Sequence, residues 1–552
     1  MKNNKKGGRN NKKPFNKKSF SSFTPKKNTF EEPLNEIKIS NITLEHTRKI
    51  VSLLGIVDRV AQTGGPTVFY INDGTGTLPL KAFEGPGVRA YKEIEEGDAI
   101  QVVVKIEEFR EELEGDISKL IKLDENKKNS ILKNIQDIQR KNAEVKAPEF
   151  LIKSPILDKL KPLFLKAATE IRLAIMQNRP IIVRHHNDAD GYSSGYALER
   201  AILPLITKQH ASSIKAAWEY YLRAPCAAPF YEIDDSIRDT ANSLRNVAKF
   251  SNKMPLIIIA DNGSSAEDLM AIKQGKIHGM DFIVIDHHVL GEKDVISGEV
   301  LVHINPFLVN EDGSHFSAGM LCTEIARFIN PEVKNIIQIA GMAGLADRID
   351  ITNPKAVEDY LKLAKKEGYS EELLKDISTL IDFVSAKVRF MEVREYIEVL
   401  FGEPREKQKE LVNLLAPYIN NLDKKGLEIG KSTAKIEKIG KVNLQTIDID
   451  KTFPGFGFFP KPGRAIGMVH DYAKEEKKLT SLVTAGIMGT AITLRATDGA
   501  NFSVHDLIAF MNKKLPSSFV EGGGHKNAGS ITFIPAAKEQ VIELLKEFIK
   551  TR

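Results

Sequence analysis

Hydrophobic and polar positions change period several times along this chain, and each change predicts a different kind of element. From residue 38 to 124, the runs Ile50 to Val60, Thr67 to Asn72, Thr77 to Phe83 and Ala99 to Ile106 are rich in β-branched and aromatic residues, and Gly64-Gly65-Pro66, Asp73-Gly74-Thr75-Gly76 and Gly85-Pro86-Gly87 punctuate them. Short strands between turn signals predict a five-stranded β-barrel. Residues 125 to 179 bring a charged stretch, Asn126 to Lys146, then apolar residues at helical spacing from Ser154 to Gln177, which predicts a connector helix and a packed one. Between 180 and 352 the apolar runs Ile181 to Val183, Leu256 to Ala260, Phe282 to Ile285 and Leu301 to Ile304 each lead into a polar or Gly-bearing loop. Fully buried parallel strands read this way, and an open α/β sheet places its chemistry at their carboxyl ends. Residues 353 to 430 are amphipathic, as in Val357 to Ala364 and Leu373 to Val388, and predict a helical insertion. Strand signals return over 431 to 552, in Leu479 to Arg495 and Ser530 to Phe533, before an amphipathic helix from Ala536 to Lys550. The expected fold class is multidomain α/β, with the barrel first and a second, smaller α/β domain last.

Composition narrows the class. A chain of 552 residues with 42% hydrophobic and 28% charged residues has apolar material for several cores, which excludes global disorder. No window approaches the roughly 18 apolar residues of a membrane span. The longest candidate, Ser481 to Leu494, is interrupted by Gly486, Gly489 and three threonines. The N-terminus lacks the apolar core of a secretory signal, so a cytoplasmic location and no membrane partner are expected. Cys226 and Cys322 give neither a zinc spacing nor a disulfide framework. The net charge of +6 conceals an asymmetry: residues 1 to 30 hold ten Lys or Arg and no acid, which leaves −4 for the remainder. Such a block, mixed with Asn, Gly and Ser, predicts a disordered basic tail over residues 1 to 37. Phe15, Phe20, Phe23 and Phe30 alternate with its lysines, a pattern that suits base stacking with phosphate tracking as well as it suits a solubilising tail.

The candidate chemistry sits at predicted strand ends. The run Ile181 to Val183 enters Arg184-His185-His186-Asn187-Asp188-Ala189-Asp190-Gly191. His186, Asp188 and Asp190 are two apart, so extended backbone would aim all three to one side. The next apolar run ends in Asp261-Asn262-Gly263-Ser264, the one after in Asp286-His287-His288, and Asp347 stands in Gly344-Leu345-Ala346-Asp347-Arg348. A lone Asp-Gly is usually a turn and a lone His is usually packed or on the surface, but repeated delivery of Asp and His at strand ends points to one shared site. Four carboxylates and two imidazoles without thiolates suit two Mn²⁺ or Mg²⁺ ions sharing a carboxylate, and lean away from structural zinc. Two such ions about 3.5 to 4 Å apart activate a water and neutralise charge on a phosphoryl oxygen, which is phosphodiester chemistry. Farther on, the segment from Glu521 to Ser530 reads as a loop in which Gly522, Gly523 and Gly524 would let backbone N–H groups approach an anion, with His525 and Lys526 adding positive charge. Arg495 can supply a bidentate phosphate fork that lysine cannot.

Taken together and in order, these motifs resemble the DHH phosphoesterases. Asp286-His287-His288 is similar to the family's signature, His186 to Gly191 resembles its first motif, Asp261 its second and Asp347 its fourth. Gly522-Gly523-Gly524-His525 followed by Ala528-Gly529 resembles the DHHA1 signature, which also occurs in alanyl-tRNA synthetase. Within the family, Ser317-Ala318-Gly319 and Asn305-Pro306 resemble RecJ-like single-strand exonucleases. Gly55 in a curved first strand, then Phe69 and Tyr70 before Asn72-Asp73-Gly74, resembles an OB-fold, as in archaeal RecJ-like proteins.

The resemblance implies an OB-fold over 38–124, a helical linker over 125–179, a DHH catalytic domain over 180–352, a helical insertion over 353–430 and a DHHA1 substrate-binding domain over 431–552. It makes Asp188, Asp190, Asp261, His287 and Asp347 metal ligands with Asp261 as the bridge, and places His186 where bacterial RecJ proteins usually carry Asp. His288 would face the scissile phosphate, with Asp286 orienting an imidazole. Arg495, Gly522, Gly523, Gly524, His525 and Lys526 would hold a nucleotide phosphate. Phe69, Lys81 and Phe83 would contact an oligonucleotide, although strand alternation sends some of these side chains into the core. The implied reaction is in-line attack of a water, activated between two Mn²⁺ or Mg²⁺ ions, on the terminal phosphodiester of single-stranded DNA or RNA, releasing mononucleotides. Two alternatives stand beside it: a small-nucleotide phosphodiesterase or phosphatase acting on nanoRNA or cyclic dinucleotides, which would need neither barrel nor basic arm, and a scaffold bound to the GINS complex and the replicative helicase.

Overall fold

The computed structural model describes residues 36–552, except 110–111, 227, 229, 251, 292, 389–393 and 454–459 and the side chains of Phe250 and His525. The basic tail expected over residues 1–37 therefore lies almost wholly outside the described residues. Strands β1 (Ile50–Gln62), β2 (Thr67–Asn72), β3 (Thr77–Ala82), β4 (Ala99–Phe109) and β5 (Glu112–Lys122) close into a barrel in the order β1-β2-β3-β5-β4. Its interior is filled by alternating residues such as Leu53, Phe69, Leu78, Leu80, Val102 and Val104. Phe69 is one of them: it is wholly buried and meets Tyr91 edge to face at 6.3 Å. This corrects its expected place on an oligonucleotide face, because the pleat of β2 turns it inward.

Two helices follow, α1 (Glu125–Ala143), capped by Asp124 accepting from the Lys127 N–H, and α2 (Pro155–Met176). A second sheet contains β6 (Ile181–His185), β7 (Tyr221–Pro225), β8 (Leu256–Ala260), β9 (Asp281–Ile285) and β10 (Val302–Ile304), all paired in parallel in the order β10-β9-β8-β6-β7. The order reverses between β6 and β8, and the crevice at their carboxyl ends is where this architecture places ligands. The sheet is flanked by α3 (Ala189–Gln209), α4 (Ile233–Phe250), α5 (Asp268–Ile277), α6 (Ala318–Ile329) and α7 (Ile337–Ala346). Helices α8 (Pro354–Lys366), α9 (Glu371–Val388) and α10 (Arg405–Thr433) come next, and the first two pack on α7.

The last sheet has the order β11-β12-β13-β14-β16-β15, from β11 (Lys435–Ile439), β12 (Val442–Asp448), β13 (Leu482–Ile487), β14 (Ala491–Ala496), β15 (Glu521–His525) and β16 (Ala528–Thr532). Helices α11 (Pro462–Glu475), α12 (Val504–Lys514) and α13 (Lys538–Lys550) belong to it. Two expectations are corrected here. The apolar run Leu479 to Arg495 is a hairpin, closed where the Met488 N–H donates to the Ala491 carbonyl at 2.8 Å. The glycine-rich segment around 522 to 530 is not a loop but the hairpin β15–β16. A Cβ at Gly522 would fall 2.2 Å from the Ser530 carbonyl oxygen and one at Gly529 would fall 2.3 Å from that of Gly523, so strand packing requires both glycines. No helix among the described residues is long and apolar enough to cross a membrane.

Candidate metal centre

The site grows from the ends of β6, β8 and β9. After β6 the chain does not stay extended as the two-residue spacing predicts. Asp188 caps α3, accepting from the Gly191 N–H at 2.9 Å, and Asp190 already lies in the first helical turn. The helix start turns the two carboxylates in different directions. Asp188 stays with His186, Oδ2 to Nδ1 2.8 Å, while Asp190 runs underneath, where the Gly319 N–H at the start of α6 donates to it at 3.1 and 3.3 Å.

Asp261 leaves β8 with φ 60°, the left-handed region that non-glycine residues rarely occupy, and its N–H still pairs with the Ile285 carbonyl at 2.9 Å. This turn sets the carboxylate between two groups. Oδ2 faces His186 Nδ1 at 3.6 Å and Oδ1 faces His287 Nε2 at 3.4 Å. His287 Nε2 is also 3.2 Å from Asp347 Oδ2, and Asp347 ends α7 rather than a strand. The seven residues thus fall into interlocking trios: His186, Asp188 and Asp261; Asp190, His287 and Asp347; and Asp261, His287 and His288.

Hydrogen bonds fix the imidazoles. His287 Nδ1 is 3.2 Å from the Gly313 carbonyl oxygen, so it is the nitrogen that donates there, and Nε2 faces Asp261 and Asp347. Gly313 has to be glycine, since a Cβ there would lie 1.9 Å from the His287 carbonyl oxygen. Nothing in the local sequence marks it, and its role shows only in the fold. His288 Nδ1 is bound to Asp286 Oδ1 at 2.8 Å, and the same carboxylate oxygen accepts the His287 N–H at 2.8 Å. Asp286 therefore sits behind the imidazoles and orients His288. His185, the neighbour of the first motif, is buried and pushed down to about 3 by that burial and by Arg223, so it is a neutral packing residue.

Electrostatics test whether cations fit. Burial, then Asp261 and Asp347, raise the Asp190 carboxyl well above the usual carboxylate range. Burial opposes charge on His186 and His287, yet the carboxylates around them hold both well above the usual imidazole value. Among the described residues, Asp261 Oδ2 is buried without a hydrogen-bond partner. Four acids converge with too little positive charge, and a proton on an imidazole or a divalent cation is what can relieve it. Octahedral ligands about 2.1 Å from an ion stand about 3 Å from one another. The observed gaps of 2.8, 3.2, 3.4 and 3.6 Å have that scale, so the residues fit a divalent cation.

The other expected residues are more scattered. Arg495, in β14, lies within electrostatic reach of Asp347 and Asp471, and burial lowers its pKa. Of the three glycines, Gly523 alone faces open space, and Lys526 is exposed in the hairpin turn. The His525 side chain lies outside the described residues. On the barrel, Lys81 is paired with Glu114 and stands 4.6 Å over the Phe109 ring. Phe83 is 67% exposed and, with Tyr91 and Lys92, lines an open cavity of about 480 Å³. No motif or spacing singles out Lys461, just before α11, yet it reaches the site. Its ammonium donates to the Asn187 carbonyl at 2.5 Å and to Ser385 Oγ at 2.9 Å, joining the last sheet's helix to the loop that carries His186 and Asp188.

Known proteins share both the motifs and the framework that carries them. A model of the DHH family N-terminal domain matches residues 180–345, and one of an OB-fold nucleic acid binding domain matches residues 51–123. A protein of Methanocaldococcus jannaschii, described as uncharacterized, is 36% identical over 94% of this chain and 71% of its own length. A solved DHH domain, from a member of a family of ribosomal proteins, is 35% identical, with a TM-score of 0.71 over 77% of this chain and 99% of that one. RecJ of Thermus thermophilus, solved in complex with Mn²⁺, shares the fold at a TM-score of 0.50 and 16% identity, over 76% of this chain and 59% of that one.

Proposed function

This chain belongs to the DHH family, and we propose that it acts within that family as a RecJ-like, metal-dependent phosphodiesterase that removes nucleotides from the end of single-stranded DNA or RNA. The observation that carries the reading is Asp261, whose two oxygens face two separate groups of ligands, His186 with Asp188 and His287 with Asp347. When bound, a pair of Mn²⁺ or Mg²⁺ ions supplies Lewis-acid neutralisation of a phosphoryl oxygen and a water of lowered pKa. The chain's own groups do the rest. The carboxylates of Asp188, Asp190, Asp261 and Asp347 would supply the negative charge that draws the ions, His186 and His287 would add imidazole nitrogens, and the Gly313 carbonyl sets the tautomer of His287. Asp286 holds the His288 ring through Nδ1, which leaves Nε2 to hydrogen-bond a phosphate oxygen. Arg495, approaching from the last sheet, supplies a fork for the phosphate of the departing nucleotide, with the Gly523 to Lys526 turn beside it.

The barrel supports a polymeric substrate. An exposed Phe83 beside Tyr91 and Lys92 offers a base a ring to stack on and a phosphate a cation, which favours unpaired strands. In this reading residues 38–124 bind the strand, 180–352 cut it and 431–552 hold the end. The test uses single-stranded DNA and RNA labelled at either end, with Mn²⁺ and with EDTA. The reading expects stepwise shortening that EDTA stops and that Asp261→Ala abolishes with its fold intact. Turnover of dinucleotides alone would move the assignment to a small-nucleotide phosphodiesterase, and full activity of the Asp261→Ala protein would defeat it.

A further inference from the structure

Helix α4 is turned the wrong way round for a surface helix. Its polar residues point inward: Arg184 meets Asp239 at 2.5 Å and Asp235 at 3.5 Å, and Ser236 Oγ is bound to the Ala271 carbonyl at 2.7 Å and to Gln274 Oε1 at 2.6 Å, on α5. Its apolar residues point outward. Ile233, Ile237 and Leu244 are 39%, 50% and 42% exposed, and Ala241 and Ala248 are exposed with them. At about 100° per residue the five fall within an arc of roughly 80°. Helix α5 packs alongside and adds Met270 and Ile277, 67% and 81% exposed. Arg238, Arg245 and Lys249 follow one rim of the stripe, and none forms a close ion pair with a carboxylate among the described residues. Asp234 is the one acid on that rim.

We propose that α4 and α5 form a docking surface for an acidic amphipathic helix of a partner protein. Ile237, Ala241, Leu244 and Ala248 follow one another at intervals of four, three and four residues, the seam spacing by which one helix receives another, and the two alanines let the axes approach closely. The row of cations selects the flanks of the incoming helix, which must carry Asp or Glu. Charge also excludes the nearest alternatives. A second copy related by a two-fold axis would set Arg238 against Arg245, and the basic segment of residues 1–30, with ten Lys or Arg and no acid, would meet the same repulsion. A lipid surface calls for a wide face with bulky residues, whereas this stripe is narrow and holds two alanines.

The test uses the full chain and two synthetic three-heptad peptides with leucine at the seam positions, one flanked by glutamates and the other by lysines, followed by fluorescence anisotropy. The glutamate peptide is expected to bind saturably, more weakly as salt rises, and the lysine peptide not to bind. Ile237→Glu with Leu244→Glu lowers that affinity by about tenfold or more, and Arg238→Glu with Arg245→Glu reverses the preference to the lysine peptide, a gain that misfolding cannot imitate. Equal binding of both peptides, no binding of either, or affinity untouched by these variants overturns the proposal. Dimerisation in sedimentation that Ile237→Glu removes, or binding to phosphatidylserine vesicles in place of the peptide, overturns it too.

Discussion

Asp261 and Asp286 are both buried carboxylates beside imidazoles, and their neighbours assign them different tasks. Asp261 aims its two oxygens at separate ligand groups and carries the strained φ of 60°, whereas Asp286 spends Oδ1 on the His288 ring and on the His287 N–H. Asp286→Asn is therefore expected to slow turnover about 10- to 100-fold, the usual cost of losing a group that orients a ligand. Asp261→Asn is expected to cost far more, because it removes the charge shared by both trios. Steady-state rates, with circular dichroism to confirm folding, distinguish the two. Away from the site, Glu324 is buried under α2 and α8, accepting from the Leu151 N–H at 3.0 Å and Tyr360 Oη at 2.7 Å, and burial pushes its carboxyl up to about 7. Its folded pKa lies above the unfolded one. Its contribution to stability is thus fully present below about pH 4.5 and is lost as pH rises through about 7, a change on the order of 3 kcal/mol. Thermal melts from pH 5 to 8 should show a shallower decline in Glu324→Gln than in the native chain.

At the scale of elements, period and phase decide what each aromatic does. Phe69 and Phe83 look alike in sequence, but the pleat of β2 buries the first in the barrel, and the second, just past the end of β3, stands exposed on a rim. Phe69→Ala should destabilise the protein by about 3 to 5 kcal/mol in urea titrations. Phe83→Ala should leave stability within about 0.5 kcal/mol and weaken oligonucleotide binding by about 1 to 3 kcal/mol. Most strands could be read from the sequence because burial on both faces writes a plain apolar run, as in Leu256–Ala260. The strand Tyr221–Pro225 could not, since as an edge strand it tolerates an arginine and a proline. Nor could Glu112–Lys122, whose second half is solvent-facing and charged. The candidate ligands were legible as residue types after strands, Asp347 at a helix end excepted. Their division into trios was not, because it depends on Asp188 capping α3 and not on a spacing of two. Asp188 ahead of a helical pattern was the available signal.

Over the whole molecule, three separate chain regions meet at the crevice between β6 and β8. Lys461 ties the final α/β unit to Asn187 and Ser385, Asp382 on α9 accepts the Ala189 N–H at 3.1 Å, and Arg495 comes within reach of Asp347. Only long-range folding brings Lys461 and Asp382 there, so their part was beyond sequence reading even where the single motifs were plain, whereas Arg495 was expected at the site from the family resemblance. Four carboxylates and three imidazoles share one partly buried crevice with Asp261 in the middle, an arrangement that suits bound cations. Anomalous diffraction from crystals grown with Mn²⁺ tests this most directly. The account predicts two manganese peaks about 3.5 to 4 Å apart, one on each side of the Asp261 carboxylate, and both lost in Asp261→Ala. Crystals in which these side chains are ordered but no manganese lies between them would contradict it.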